Sequence, residues 1–223
     1  MIAWRRLLPL GLGLTACAKL FGIEAACEVG TPGCAEASVD AGALTPSLGD
    51  PCRSYCERME STCTGDDAGY TQSDCALVCA LFPRGAAEND NSVECRLSQV
   101  TLAVDADVDD RRDRCQGAGP GGQREDGVPL CGTLCESYCT LLAAACGDTF
   151  TQTFRDFPSC LASCATLPGQ DGAYNTRMGD SDSVQCRVYH IANRLRTNDE
   201  EHCAHAVGVR GCPYAPAESA PTP

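Results

Sequence analysis

The sequence predicts a small, disulfide-rich and mainly α-helical fold, made of two tandem modules of three helices each after a signal peptide and a tether. Its 223 residues include 19 cysteines, which is close to the composition of disulfide scaffolds. The cysteine spacing of residues 52–131 recurs in residues 132–212, with eight cysteines in each copy. Both copies contain cysteine pairs separated by three residues, and this spacing places two side chains one turn apart on a helix.

The number of cysteines indicates an oxidising compartment, because cytosolic reductants keep thiols reduced. A cysteine metal cluster is the competing interpretation, but its usual C-x2-C spacing does not occur in the sequence. Each copy has only about 80 residues, and a domain of that size buries little apolar surface. We therefore expect disulfides to supply much of the stability of each module.

Residues 1–16 are predicted to be a signal peptide. They begin with Arg5 and Arg6, continue with an apolar run over residues 7–14, and end on small residues. The apolar run is too short to span a bilayer, and the order of the three regions is typical of an export signal.

The signal peptide ends in the sequence Leu14-Thr15-Ala16-Cys17, which resembles the lipobox of bacterial lipoproteins. The resemblance implies that Cys17 receives a diacylglycerol thioether and becomes the new N-terminus, acylated with chains such as palmitate. Several acyl chains on one residue anchor a protein durably, so the lipid bilayer is a predicted partner. The alternative is an ordinary secretory signal with an incidental cysteine at its cleavage point.

The residues after Cys17 bear on the choice of membrane. In bacterial lipoproteins an Asp at this point tends to retain the protein at the inner membrane, whereas Ala18 and Lys19 stand here. The resemblance therefore implies a lipid-anchored protein of the cell envelope, at the outer rather than the inner membrane. Its body would be periplasmic or exposed at the cell surface.

Residues 17–51 are expected to form the lipidated N-terminus and a flexible tether. They hold a local pair of cysteines, Cys27 and Cys34, and are then small, polar and rich in Pro and Gly. Residues 213–223 are predicted to be a disordered tail.

The first predicted helix of each module carries three cysteines on one face. These are Cys52, Cys56 and Cys63 in the first copy, and Cys135, Cys139 and Cys146 in the second. Gly65 and Gly147 are expected to end the two helices.

The second predicted helix begins at an N-cap serine, Ser73 or Ser159, and stops at Pro83 or Pro168. The third carries the apolar positions of CRLSQVTLAV in the first copy and CRVYHIANRL in the second. Residues 116–130, which are rich in glycine, are expected to be a flexible linker between the modules.

If Cys17 is lipidated, the remaining cysteines are even in number, and all of them can be paired. The sequence leaves their connectivity open. The disulfide candidates are Cys27, Cys34, Cys52, Cys56, Cys63, Cys75, Cys79, Cys95, Cys115, Cys131, Cys135, Cys139, Cys146, Cys160, Cys164, Cys186, Cys203 and Cys212.

The tandem pattern includes the element SYC in both copies, and the elements CR-x-YH and HC-x-HA in the second copy. In this respect the copies resemble cysteine-rich repeat modules of uncharacterised myxobacterial-type proteins that are secreted or lipid-anchored. The resemblance covers about Cys52 to Cys212 and implies a location and an architecture, but no activity. The first copy departs from the pattern, since Gln99, Arg114 and Gly117 stand where the second has histidines.

All three histidines of the chain lie in the second copy: His190, His202 and His205. His202 and His205 are three residues apart and would share a helical face, with His190 reaching over from the preceding helix. Three neutral imidazoles can bind Zn or Cu, so one of these metals is the alternative to a protein without a cofactor. The favoured interpretation is that the histidines pack against the disulfides.

Two acidic stretches of the sequence favour a structural interpretation over a functional one. Residues 105–113 begin like a calcium loop but lack the glycine and glutamate that such a loop needs at its sixth and twelfth positions, so a solvated acidic helix end or loop is expected there. Residues 179–183 are likewise expected to cap a helix, through Ser181 or Ser183.

Tyr55 and Tyr138, in the two SYC sequences, are expected to cover disulfides, and a binding role is the alternative.

No enzyme signature occurs in the sequence, and no catalytic residue is predicted. The net charge of -13 argues against nucleic acid as a partner, because phosphates require basic residues. The prediction is a membrane-anchored, disulfide-rich lipoprotein with a binding or structural role: adhesion, envelope organisation, or capture of an unknown protein or glycan. A metal-handling lipoprotein that uses the three histidines, and a secreted inhibitor-like scaffold, are the alternatives.

Overall fold

The computed structural model describes residues 51–65, 69–70, 74–85, 88–176, 182–209 and 212. All of them belong to one compact unit of the chain, Pro46–Pro223. Cys17, the Cys27/Cys34 pair, most of the tether and the tail lie outside the described residues, so what the sequence predicts for them stays a prediction.

The described part of the chain is mainly helical and has no β-strand, which confirms the predicted class; an isolated antiparallel bridge joins Gln123 and Pro129. The described helices of the first copy are α1 (Pro51–Thr62), α2 (Cys75–Cys79), α3 (Val93–Ala103) and α4 (Val108–Ala118). Those of the second are α5 (Leu134–Ala145), α6 (Gly147–Thr153), α7 (Phe157–Cys164), α8 (Val184–Thr197) and α9 (Glu201–Ala206). Each copy thus has more than the three predicted helices. None of these nine described helices is both long and apolar enough to cross a membrane.

The helix starts agree only in part with the predicted caps. Ser183 is the N-cap of α8 and accepts a hydrogen bond from the backbone N–H of Cys186, as the sequence predicts. Ser159 is not an N-cap: α7 begins after Asp156, whose carboxylate accepts from the Ser159 N–H at 2.9 Å while the Ser159 hydroxyl accepts from the Asp156 N–H. Ser73 lies outside the described residues. Gly147 does not end a helical run but begins α6, directly after Cys146.

Eight disulfides join the described cysteines, and their pairing is the same in both copies. The first cysteine of a copy binds the fifth, the second the fourth, the third the seventh and the sixth the eighth. The bonds of the first copy are Cys52–Cys79, Cys56–Cys75, Cys63–Cys115 and Cys95–Cys131. Those of the second are Cys135–Cys164, Cys139–Cys160, Cys146–Cys203 and Cys186–Cys212. One common pairing is what an internal duplication predicts.

Helix packing repeats in the same way. In the first copy, α1 packs against α2 and α3, and α3 packs against α4. In the second, α5 packs against α7 and α8, and α8 packs against α9. The last helix of each copy, α4 or α9, is additional to the three predicted helices of a module. It carries the seventh cysteine, which is bonded to the cysteine that directly follows the first helix of the same copy.

The two copies are joined by buried polar contacts, so the prediction of a flexible linker over residues 116–130 is wrong. Gln123 is buried; its Nε2 donates to the Gln170 carbonyl at 2.6 Å, and its Oε1 accepts from the Leu134 N–H at 2.8 Å. Gly122 has a φ of +77°, and a Cβ there would overlap the Cys131 carbonyl oxygen. The glycine therefore permits close backbone packing, not flexibility.

Candidate functional site

Both copies use the tyrosine of their SYC sequence in the same way. Tyr55 donates to the carbonyl of Ala118 at 2.6 Å, and Tyr138 donates to the carbonyl of Ala206 at 3.0 Å. These carbonyls lie at the ends of α4 and α9. Both rings are buried, and burial raises the pKa of Tyr138 to about 12. The two tyrosines thus fix the last helix of each copy to the first, and neither is placed to meet a ligand.

The arginine that follows the sixth cysteine of each copy is also buried, and sequence reasoning missed it. Arg96 donates to the carbonyls of Ser92 and Gly119, and its guanidinium carbon lies 3.5 Å from the centre of the Phe82 ring. Arg187 donates to the Ala206 carbonyl at 3.4 Å and pairs with Asp182. The presence of an arginine at this position in both copies is the sequence signal from which its role could have been predicted.

The three histidines meet where α8 and α9 pack together. His190 Nδ1 and His202 Nδ1 are 3.1 Å apart. The rings of His190 and His205 are stacked, with centroids 4.7 Å apart and planes at 18°. His190 is fully buried and His205 nearly so, whereas His202 is half-buried. The structure therefore brings together the residues that the sequence singled out.

Burial, reinforced by His205 and His202, lowers the pKa of His190 to about 4. Burial also lowers the pKa of His202, against the opposing effect of Asp199. At neutral pH the facing Nδ1 atoms of His190 and His202 therefore belong to uncharged rings, one of which donates a hydrogen bond to the other.

The geometry suits one metal ion bound by two histidine nitrogens better than a metal centre with all three histidines as ligands. Two nitrogens bound to one tetrahedral zinc lie about 3.3 Å apart, close to the 3.1 Å between His190 and His202. The stacked rings of His190 and His205 direct their in-plane lone pairs side by side, so they do not converge on one ion. Metal binding by the three histidines together stays a prediction.

The Cys186–Cys212 disulfide lies next to His190, which the sequence could not show because the pairing was open. Among the described residues, these three form the group of metal-ligand side chains whose donor atoms all lie within 4.8 Å of one another. All three residues are fully buried.

The first copy has a different pair of side chains at the equivalent place. Arg114, the counterpart of His202, donates to Oε1 of Gln99, the counterpart of His190, at 3.2 Å. A polar contact between the last two helices is therefore common to both copies, but imidazole is confined to the second. The Cys95–Cys131 bond accordingly belongs to a copy that has no histidine in its sequence.

The remaining candidate features are structural. Asp107 caps α4 by accepting from the Asp110 N–H at 3.0 Å, so residues 105–113 are a helix start, as expected.

A narrow cleft between the copies is lined by three tyrosines, Tyr70, Tyr174 and Tyr189. Burial raises the pKa of Tyr174, so its hydroxyl stays protonated.

No protein-family model, curated protein or solved structure matches this chain.

Proposed function

We propose that this protein is a non-enzymatic lipoprotein of the cell envelope, which holds a disulfide-cross-linked helical body at the outer membrane for a binding or structural role. A rigid body on a tether suits adhesion, envelope organisation, or the capture of a protein or glycan. The anchor is acylated Cys17, and residues 17–51 are the tether.

The observation that carries the proposal is the common disulfide pairing of the two copies. All the described cysteines are in disulfides, so this part of the chain offers no thiol nucleophile. The residues that both copies share, including Tyr55, Tyr138, Arg96 and Arg187, make internal contacts. What was duplicated is thus a stable body, and small modules of this kind depend on such cross-links in oxidising compartments.

The test is the fate of Cys17 in a bacterial host. The wild-type chain is expected to incorporate an alkyne analogue of palmitate and to sediment with outer membranes, and Cys17→Ser is expected to lose both properties. The matched control is the double variant Cys27→Ser/Cys34→Ser, which removes two other cysteines of the same region and is expected to keep both. A Cys17→Ser protein that still sediments with membranes would refute the lipid anchor.

A further inference from the structure

We propose that the Cys186–Cys212 disulfide, once reduced, forms with His190 a binding site for one soft d¹⁰ metal ion, Zn²⁺ or Cu⁺. This inference does not depend on the membrane anchor, since it concerns only residues of the second copy. It adds a conditional metal-binding function to a body that is otherwise structural.

The positions of the donor atoms carry the proposal. The two sulfurs and a ring nitrogen of His190 all lie within 4.8 Å of one another. Around a tetrahedral zinc, two sulfurs lie about 3.8 Å apart, and a sulfur and a nitrogen about 3.6 Å apart. Small side-chain rotations thus suffice to bring the three atoms into one coordination sphere.

The surroundings of His190 prepare it to be a ligand. Its Nδ1 is hydrogen bonded to His202, so metal binding would use the other ring nitrogen, Nε2. A hydrogen bond on the second nitrogen orients a metal-bound imidazole and selects its tautomer. His205, stacked on the same ring, restricts its rotation further. Two thiolates and one imidazole are a soft donor set that favours Zn²⁺ or Cu⁺ over Mg²⁺ or Ca²⁺.

The chemistry balances with a dithiol as reductant. The dithiol gives two electrons and two protons to the Cys186–Cys212 bond, which becomes two thiols, while the dithiol closes to its own disulfide. The metal ion then displaces both thiol protons, and His190 contributes a neutral nitrogen without releasing a proton.

The position of this bond in the chain allows it to open without dismantling the fold. Cys212 follows α9, and α9 remains tied to the end of α5 through Cys146–Cys203. By contrast, Cys135–Cys164 and Cys139–Cys160 both hold α7 on α5. The equivalent bond of the first copy, Cys95–Cys131, has Gln99 where the second has His190, and it is therefore an internal control.

The experiment uses the purified oxidised chain from Ala18 onward without a histidine tag. A phosphine reduces it stepwise in the presence of Zn²⁺, or of Co²⁺ as a spectroscopic probe. Native mass spectrometry counts bound metal, and alkylation followed by peptide mapping identifies the opened bond. We expect one ion per chain, thiolate-to-cobalt charge-transfer bands, and alkylation of Cys186 and Cys212 only after a chelator has removed the metal.

Two variants and one control separate a ligand from a structural residue. His190→Gln, which copies the first module, is expected to weaken metal binding more than about 100-fold, and His202→Ala about 10- to 100-fold, as for loss of an outer partner. Cys95→Ser/Cys131→Ser is expected to bind metal like the wild type. Circular dichroism checks that each protein is folded.

Four results would overturn the proposal. Equal affinity in the oxidised chain would assign the metal to the histidines alone, and undiminished binding by His190→Gln would remove the imidazole from the site. Protection mapped to Cys95 and Cys131 would exclude a role for the second copy. Loss of helical signal before Cys186–Cys212 opens would show that the site cannot form in the folded protein.

Discussion

Tyr55 and Tyr138 occupy equivalent positions, but the backbone carbonyls to which they donate differ in the number of hydrogen bonds that they accept. The Ala206 carbonyl accepts from Tyr138 and also from Arg187. We therefore expect Tyr55→Phe to lower the free energy of unfolding by about 1–3 kcal/mol, the cost of leaving a buried carbonyl unpaired, and Tyr138→Phe to lower it by less. Urea denaturation of the oxidised proteins measures both, and a larger loss for Tyr138→Phe would contradict this account.

His190 should make stability depend on pH. Its pKa in the folded protein is about 4, because of burial and of His205 and His202, against 6.5 for an unperturbed histidine. Between these values the unfolded chain binds more protons, so the stability that neutral His190 contributes is complete above pH 6.5 and is lost as the pH falls towards 4. The loss is on the order of 3 kcal/mol.

Urea denaturation of the oxidised, metal-free protein at several pH values between 7 and 4 measures this effect. His190→Gln is expected to flatten the profile over that interval, because glutamine does not titrate. The same slope in both proteins would place the acid sensitivity elsewhere, for instance in His202, whose pKa burial also lowers.

At the scale of a single helix, α5 begins with a complete capping box. Thr133 accepts from the Glu136 N–H at 3.1 Å, and the Glu136 carboxylate accepts from the Thr133 N–H at 2.7 Å. Thr133→Ala is expected to cost about 1 kcal/mol of unfolding free energy, as for other N-caps. Thr133→Ser keeps the acceptor and should remain near the wild type in the same denaturation experiment; equal losses in the two variants would rule out capping as the cause.

The elements that the sequence predicted are those whose signals are local. Ser183 was a correct cap, and the helical spacing of Cys135 and Cys139 correctly placed both on α5. By contrast α4, VDDRRDRCQGA, has no apolar period and is positioned by contacts distant in sequence: the Cys63–Cys115 bond and the Tyr55 hydroxyl. Such contacts cannot be read from a local window.

The candidate site, too, could be predicted from the sequence only where the signals are local. Helical spacing predicted that His202 and His205 share a face, and the hypothesis that His190 reaches them from the preceding helix agrees with the observed ring contacts. That His190 also lies beside Cys186–Cys212 required the disulfide pairing, and eight cysteines allow 105 pairings. Metal binding by the three histidines stays a prediction, and metal binding by His190 with Cys186 and Cys212 is our proposal.

At the scale of the whole molecule, the described body should unfold as one unit. Arg96 of the first copy donates to the Ser137 hydroxyl of the second at 3.0 Å, and Gln123 bonds to backbone groups at Leu134 and Gln170. We expect calorimetry of the oxidised protein to give one transition with equal calorimetric and van't Hoff enthalpies. Two separable transitions would mean that these contacts are too weak to couple the copies.

The disulfide pairing also has a consequence for how the protein is made. No described bond joins two cysteines that are neighbours in the sequence, since at least one other cysteine always lies between the partners. If the chain is exported into the periplasm, as we propose, and is oxidised as it emerges N-terminus first, it would form wrong pairs such as Cys52 with Cys56 at first. Because every described bond stays within one copy, these errors can be corrected in the first half before Cys135 arrives. Correct biogenesis should accordingly depend on a disulfide isomerase more than on the oxidant itself, and on the pace of export between the two halves.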